Sequence, residues 1–307
     1  MKTNISLILI LCLLLGACKN GNASSQSKSE TPQDTIKAIK MPAIPQMMTA
    51  PEQRADFLAK HYWDNVNFAD TNYIHHPEVT EQAWADYCDL LNHVPLETAQ
   101  QAMRNVIDRT NVDKKVFTYI TDLADKYLYD PNSPMRNEEF YIPVLEAMIA
   151  SPVLNETEKI RPQARLKLAQ KNRIGTKALN FTYTLASGAQ GSLYQLKAEY
   201  LLLFINNPGC QACTETIEGL KNAPIINQLL QEKKLVLLSI YPDEELDEWK
   251  KHLSEFPNEW INGYDKKFTI KEEQVYDLKA IPTLYLLDKD KTVLLKDCLL
   301  YTSDAAD

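Results

Sequence analysis

Two cysteines separated by two residues are the side chains whose type and spacing most plainly allow chemistry. They are Cys210 and Cys213, in the run Asn206-Asn207-Pro208-Gly209-Cys210-Gln211-Ala212-Cys213. A thiolate attacks a disulfide sulfur, and a second thiol within reach resolves the mixed disulfide that forms. As a structural staple the pair would close a tiny loop and stabilise little. The spacing therefore reads as reactivity, with Cys210 attacking and Cys213 resolving.

The surrounding pattern must position such a pair. Residues 200–205 form a short apolar run typical of a buried strand. A helix is predicted over 214–221, continuing after Pro224 to about Lys233. The motif thus falls where a strand meets a helix. Helix N-termini carry partial positive charge and unpaired N–H groups, so a thiolate placed there is stabilised. One helical turn separates the two sulfurs. Further on, Ala280-Ile281-Pro282-Thr283 immediately precedes a predicted strand over 283–287, and proline is tolerated at a strand's first residue. Other elements are a strand at 181–185 and a turn at 187–191. A buried strand at 235–241 follows, then a helix at 244–256, a helix near 271–278 and a strand at 292–295. Strands alternating with helices imply a βαβ unit joined to a hairpin.

The first half has a different period. Phe57, Leu58, Tyr62, Trp63 and Val66 recur at helical spacing, as do Trp84, Tyr87, Cys88 and Leu91, with Thr80 as a predicted N-cap. Helices are also predicted over 96–108, 114–129, 137–150 and 156–171, separated by proline and Asn/Asp clusters. Five or six antiparallel helices would share one core. Nothing there points to catalysis. His75 and His76 are adjacent on a loop with no supporting carboxylate or cysteine cluster, so no metal is expected. Cys88 lies on an apolar stripe and reads as a buried, inert thiol.

The order strand, Cys-x-x-Cys, helix, strand, helix, Ile-Pro-Thr, strand resembles the thioredoxin-like superfamily. Within it, the chain is most similar to membrane-tethered, TlpA-like periplasmic thiol–disulfide oxidoreductases, a group related to the AhpC/TSA proteins. The resemblance covers residues 175–297. It implies that Pro282 is cis and packs on the motif, and that Gly209, Ile281 and Pro282 border the substrate. It also implies an upstream electron donor and cysteine-containing envelope proteins as partners. The redox couple is the cysteine pair itself, so no cofactor is implied. The segment before it resembles helical domains of unknown function found in exported lipoproteins of diderm bacteria.

The motif departs from the family in several places. Gly209 stands where tryptophan is usual, and Gln211-Ala212 replaces Gly-Pro. Phe204 stands where thioredoxin has a buried aspartate. Glu215 and Glu218 fall in the first turns of the helix, where they would weaken thiolate stabilisation if close.

Competing chemistries fit less well. Zinc would need a second ligand pair. Attached c-type haem would need histidine after the second cysteine, and Thr214 stands there. A peroxiredoxin-like peroxidase would want threonine where Asn207 stands. A redox-inactive docking module remains the main alternative.

The formal net charge of −8 argues against nucleic acid, whose phosphates need clustered Lys and Arg. The apolar fraction of 45% is ordinary for a globular chain. At the N-terminus, Met1-Lys2 precedes an apolar run over 5–15 that is too short to span a bilayer. The run ends in Leu15-Gly16-Ala17-Cys18, which resembles a lipobox. Cys18 is thus the expected lipidation site and membrane anchor, with the protein facing the periplasm at either membrane. The polar stretch after it reads as a flexible tether. Residues 298–307 match the translation of a common sequencing-adapter oligonucleotide. The natural sequence is therefore expected to be cut at about Asp297, taking the fold's last helix with it.

The expected fold class is an α+β two-domain protein, an all-α helical domain followed by a thioredoxin-like α/β/α fold. Its parts are a lipoprotein signal peptide (1–17), a tether (18–50), the helical domain (51–174), the thioredoxin-like domain (175–297) and the adapter scar (298–307). The expected activity is thiol–disulfide exchange, in the reducing direction.

Overall fold

Asparagine and aspartate side chains punctuate the helical half, because each can take up N–H groups that a helix start leaves unpaired. The computed structural model describes residues 38–296. The first helices are α1 (Pro51–His61), α2 (Pro77–Leu91) and α3 (Leu96–Arg109). Asp113 accepts from the Lys115 and Val116 N–H groups to open α4 (Lys114–Ala124), which runs on into a π turn over Asp125–Tyr129. Asn137 caps α5 (Glu138–Ala150). A reciprocal Asn155–Glu158 capping box opens α6 (Glu156–Ala169). In α3, Ala99, Ala102, Met103, Val106 and Ile107 recur at three- and four-residue spacing and are all buried. They join residues of α1, α2, α4 and α5 in one continuous apolar core.

Two expectations fail in this half. Thr80 is not an N-cap. Pro77 begins α2, and Thr80 sits buried inside it, donating from Oγ1 to the Tyr73 carbonyl at 2.7 Å. Nor are residues 38–50 free tether: Ile39 packs against the helical core, and Asn65 Nδ2 donates to the Lys40 carbonyl at 2.9 Å. The apolar residues Ile39 and Ile44 are half-buried in this stretch. The expected signal peptide, the expected lipidation site Cys18 and the expected adapter scar lie outside the described residues.

The second half is built on a mixed sheet. Its elements in chain order are β1 (Thr182–Leu185), β2 (Gln190–Ser192), β3 (Tyr200–Ile205), α7 (Gln211–Asn222), α8 (Pro224–Gln231), β4 (Leu235–Tyr241), α9 (Leu246–Lys251), β5 (Ile261–Tyr264), α10 (Thr269–Glu272), β6 (Thr283–Asp288) and β7 (Val293–Lys296). The strand order is β2-β1-β5-β4-β3-β6-β7. Central β3 runs parallel to β4 and antiparallel to β6.

Alternation of side chains divides β3 between two cores. Leu201, Leu203 and Ile205 face one, with Ile240, Tyr276 and Tyr285. Leu202 and Phe204 face the other, against Ile217 and Leu220 of α7. At the sheet's outer edge, residues 175–178 hydrogen-bond alongside β7: Val293 N–H donates to the Thr176 carbonyl at 2.9 Å.

Three further readings change. β5 was not expected; it is a short strand with Gly263 in it, paired with both β4 and β1. The helix expected near 271–278 is the single turn α10. Gln190 and Gly191 belong to β2 rather than to the turn before it.

The fully buried Met103 offers a check on the helical core. Met103→Ala leaves a cavity there and should lower unfolding free energy by about 2–5 kcal/mol in urea titrations.

Candidate active site

Central β3 delivers the chain to the site. Beyond Ile205 the ladder continues one residue, with the Asn206 N–H donating to the Ile240 carbonyl at 3.0 Å. The Asn206 side chain is buried and donates to Ser239 Oγ at 2.7 Å. Asn207 Nδ2 donates to Asp243 at 2.7 Å, and Lys271 reaches the other oxygen of that carboxylate at 3.0 Å. The loop is thereby tied to the segments after β4 and β5. The Cys210 N–H donates back to the Asn207 carbonyl at 3.3 Å, closing a turn with Pro208 and Gly209 at its centre. Proline followed by glycine suits a type II turn, and Gly209 has φ of +76°, a conformation that glycine adopts without a Cβ penalty.

The helix begins earlier than expected, at Gln211 rather than Thr214, so Cys210 is the N-cap of α7. Its Sγ accepts from the Cys213 N–H at 3.3 Å. The same sulfur lies 3.6 Å from the Ile281 carbonyl oxygen. The Ile281–Pro282 peptide is cis, and Thr283 Oγ1 donates to the Ala280 carbonyl at 2.6 Å. Gly209, Cys210, Cys213, Ile281 and Pro282 are thus gathered between the start of α7 and the start of β6. All three described cysteines are free thiols.

The two motif sulfurs differ in setting. Cys210 is half-buried and Cys213 is buried. Burial pushes the Cys213 thiol up, to about 12. Cys88 is also buried, in the helical core, and its thiol is likewise pushed up by burial. One sulfur meets solvent and an N–H donor, and the other waits behind it. That arrangement suits an attacking thiolate and a resolving thiol.

The departures from the family pattern also have places. Phe204 is buried and packs edge-on to Trp260, with 6.4 Å between ring centroids. Glu215 accepts from Gln211 at 2.8 Å, and Glu218 pairs with Lys221 at 2.8 Å. Both carboxylates are engaged along the exposed side of α7. His76 bonds Glu78 at 3.1 Å, and among the described residues no cluster of His, Cys, Asp and Glu could hold a metal ion. No described helix is long and apolar enough to cross a membrane. Sequence reasoning missed the Asn206–Ser239 and Asn207–Asp243–Lys271 links. The signal available was two amides placed directly after an apolar strand.

Two family models match the chain. One, described as a domain of unknown function (DUF5106), matches residues 17–172, and one described as thioredoxin-like matches residues 198–293. The chain belongs to the DUF5106 family and carries a thioredoxin-like domain. This DUF5106 protein is similar to a thioredoxin-like protein from Bacteroides caccae whose crystal structure is solved. The two are 84% identical over 86% of this chain and 96% of that one, with a TM-score of 0.84. It is also similar to the C-terminal domain of an uncharacterized protein from Bacteroides fragilis, at 70% identity over 42% of this chain and 92% of that one, TM-score 0.42. A domain of a possible thiol-disulfide isomerase from Cytophaga hutchinsonii matches at 26% identity over 42% of this chain and 86% of that one, TM-score 0.36. No protein of curated function matches it.

The asymmetry of the thiols gives a direct test. With the reduced DUF5106 protein at pH 7.5, iodoacetamide should label Cys210 at least roughly tenfold faster than Cys213 or Cys88. Peptide mass spectrometry reads the order. Burial raises the Cys213 thiol, so its labelling should be slow at pH 7.5 and quicken as pH rises.

Proposed function

We propose that this protein is a thiol–disulfide oxidoreductase acting through Cys210 and Cys213. The observation that carries the reading is the position of Cys210 Sγ. It is half-buried at the N-cap of α7, accepts an N–H from the first turn and faces the Ile281 carbonyl, with Cys213 buried behind it.

The chemistry follows in two exchanges. The Cys210 thiolate attacks one sulfur of a substrate disulfide. That S–S bond breaks, a Cys210–substrate disulfide forms, and the other substrate sulfur leaves as a thiolate. Cys213 then gives up its proton, which the released substrate thiolate takes up, and attacks Cys210 Sγ. The second substrate sulfur leaves, and Cys210 and Cys213 end joined. The substrate gains two electrons, which a dithiol donor later returns to the cysteine pair. The Ile281 backbone beside Cys210 offers a carbonyl to the chain of an incoming substrate.

We place the protein at the cell envelope, held by a lipid on Cys18 and facing the periplasm, with cysteine-containing envelope proteins as substrates. The lipobox-like Leu15-Gly16-Ala17-Cys18 supports this. The reducing direction is part of the same proposal.

Equilibration of the full chain in glutathione or dithiothreitol buffers tests it. A potential near thioredoxin's, about −270 mV, fits a reductase; one near −120 mV makes the pair an oxidant. Cys210→Ser should abolish exchange. Cys213→Ser should still form the mixed disulfide and accumulate it. A pair that exchanges with neither buffer would overturn the enzyme reading and leave a docking module. Rapid turnover of peroxide at Cys210 would point to a thiol peroxidase instead.

A further inference from the structure

The loop that carries Ile281 and Pro282 has little regular structure of its own. Between α10 and β6 the chain forms no helix or strand over residues 273–282. Side chains of the helical half hold its backbone instead. Lys171 Nζ donates to the Gln274 carbonyl at 2.6 Å and the Glu273 carbonyl at 3.1 Å. Asn172 Nδ2 donates to the Val275 carbonyl at 2.7 Å.

Lys279 extends this restraint to the active site. Its ammonium lies between Asp277 at 3.0 Å and Glu138, the first residue of α5, at 3.3 Å. It also sits 5.1 Å from the centroid of the Tyr129 ring. The other oxygen of Glu138 pairs with Lys296. All four charged side chains are largely buried: Lys279 is 10% exposed, Asp277 4%, Glu138 14% and Lys296 6%. Removing the Glu138 charge takes from Lys279 its ion pair with the helical half and leaves the Lys296 ammonium on the neutral Lys171 carbonyl at 2.9 Å, in a setting where water screens poorly. Two residues beyond Lys279, the Ile281 carbonyl faces Cys210 Sγ at 3.6 Å.

We infer that Glu138 of the helical half is a positioning residue for the substrate-binding loop, acting through Lys279 to fix residues 280–283 against Cys210. This rests on the reading of Cys210 and Cys213 as an exchange site. It gives the helical half a task in that reaction, one performed without touching substrate. A segment poor in ladder hydrogen bonds opens locally at low cost. A substrate-contacting backbone displaced by about 1 Å loses much of its effect. The clamp should therefore act on protein substrates, which reach the loop. Small thiols, which need only the Cys210 sulfur, should not feel it.

The test compares the full-length wild type with Glu138→Gln and Met103→Ala. The second variant weakens the helical core without touching the cluster. Three quantities are read: KM for insulin disulfides with dithiothreitol as reductant, exchange of Cys210 with oxidised glutathione, and amide hydrogen exchange over residues 280–283. Glu138→Gln should raise the insulin KM at least threefold and speed amide exchange in the loop at least tenfold. Its glutathione exchange rate should stay within twofold of wild type, and Met103→Ala should leave all three readouts unchanged. Wild-type loop exchange and KM in Glu138→Gln would overturn the clamp. So would equal effects from Met103→Ala, which would reduce Glu138 to general stability. If the wild type exchanges no disulfide at all, the oxidoreductase reading fails by itself, and hydrogen exchange alone decides whether the clamp exists.

Discussion

The antiparallel register between β3 and β6 is the constraint on which the site depends. Ile205 pairs with Thr283, so the end of one strand lies beside the start of the other. The chain leaving β3 must turn immediately into the cysteine motif. The chain entering β6 must arrive through Pro282. Backbone pairing between two buried central strands therefore sets the meeting of Cys210 and Ile281, without any flexible side chain. A one-residue slip would swap Leu202 and Phe204 with Leu201 and Leu203 between the two cores, and both faces of the sheet oppose it.

On this frame the helix supplies direction. The first turn of α7 has N–H groups with no partner inside the helix. One of them, on Cys213, is aimed at the Cys210 sulfur. The same turn carries the Cys213 side chain inward, where apolar packing keeps its proton in place. A single turn of helix thus gives two identical residues opposite characters.

Much of this was legible in the sequence. The apolar run before the motif, the prolines that separate the helices and the change of period after Gly175 carry the architecture. Asn155 with Glu158 and Asp113 before Lys114 mark helix starts through local chemistry. The misreadings share a cause. Thr80 has a good capping side chain, but Pro77 three residues earlier is a stronger start, and tertiary contacts bury the threonine. β5 is short and holds a glycine, so its strand character comes from its neighbours β4 and β1 rather than from its own residues. The turn α10 and the loop after it read as helical because Ile270, Tyr276 and Leu278 are apolar. Ile270 and Tyr276 are buried and Leu278 half-buried in one core of the sheet by the surrounding fold, not by helical periodicity. For long-range polar links such as Asn207–Asp243–Lys271, the amides after the apolar strand were the only local signal, and their partners, tens of residues apart, could not be read from it.

The segment over residues 175–178 has a consequence for how another chain could approach. Exposed sheet edges invite extended peptides to add as a further strand. Here the edge beyond β7 is already occupied by the protein's own backbone, with Gly175 and Ala178 N–H groups donating to the Val293 and Lys291 carbonyls at 2.8 Å. An unfolded polypeptide arriving at that side finds its hydrogen-bonding row taken. Strand addition at those carbonyls is therefore blocked on the β7 side, and β2 is the outer strand at the opposite edge.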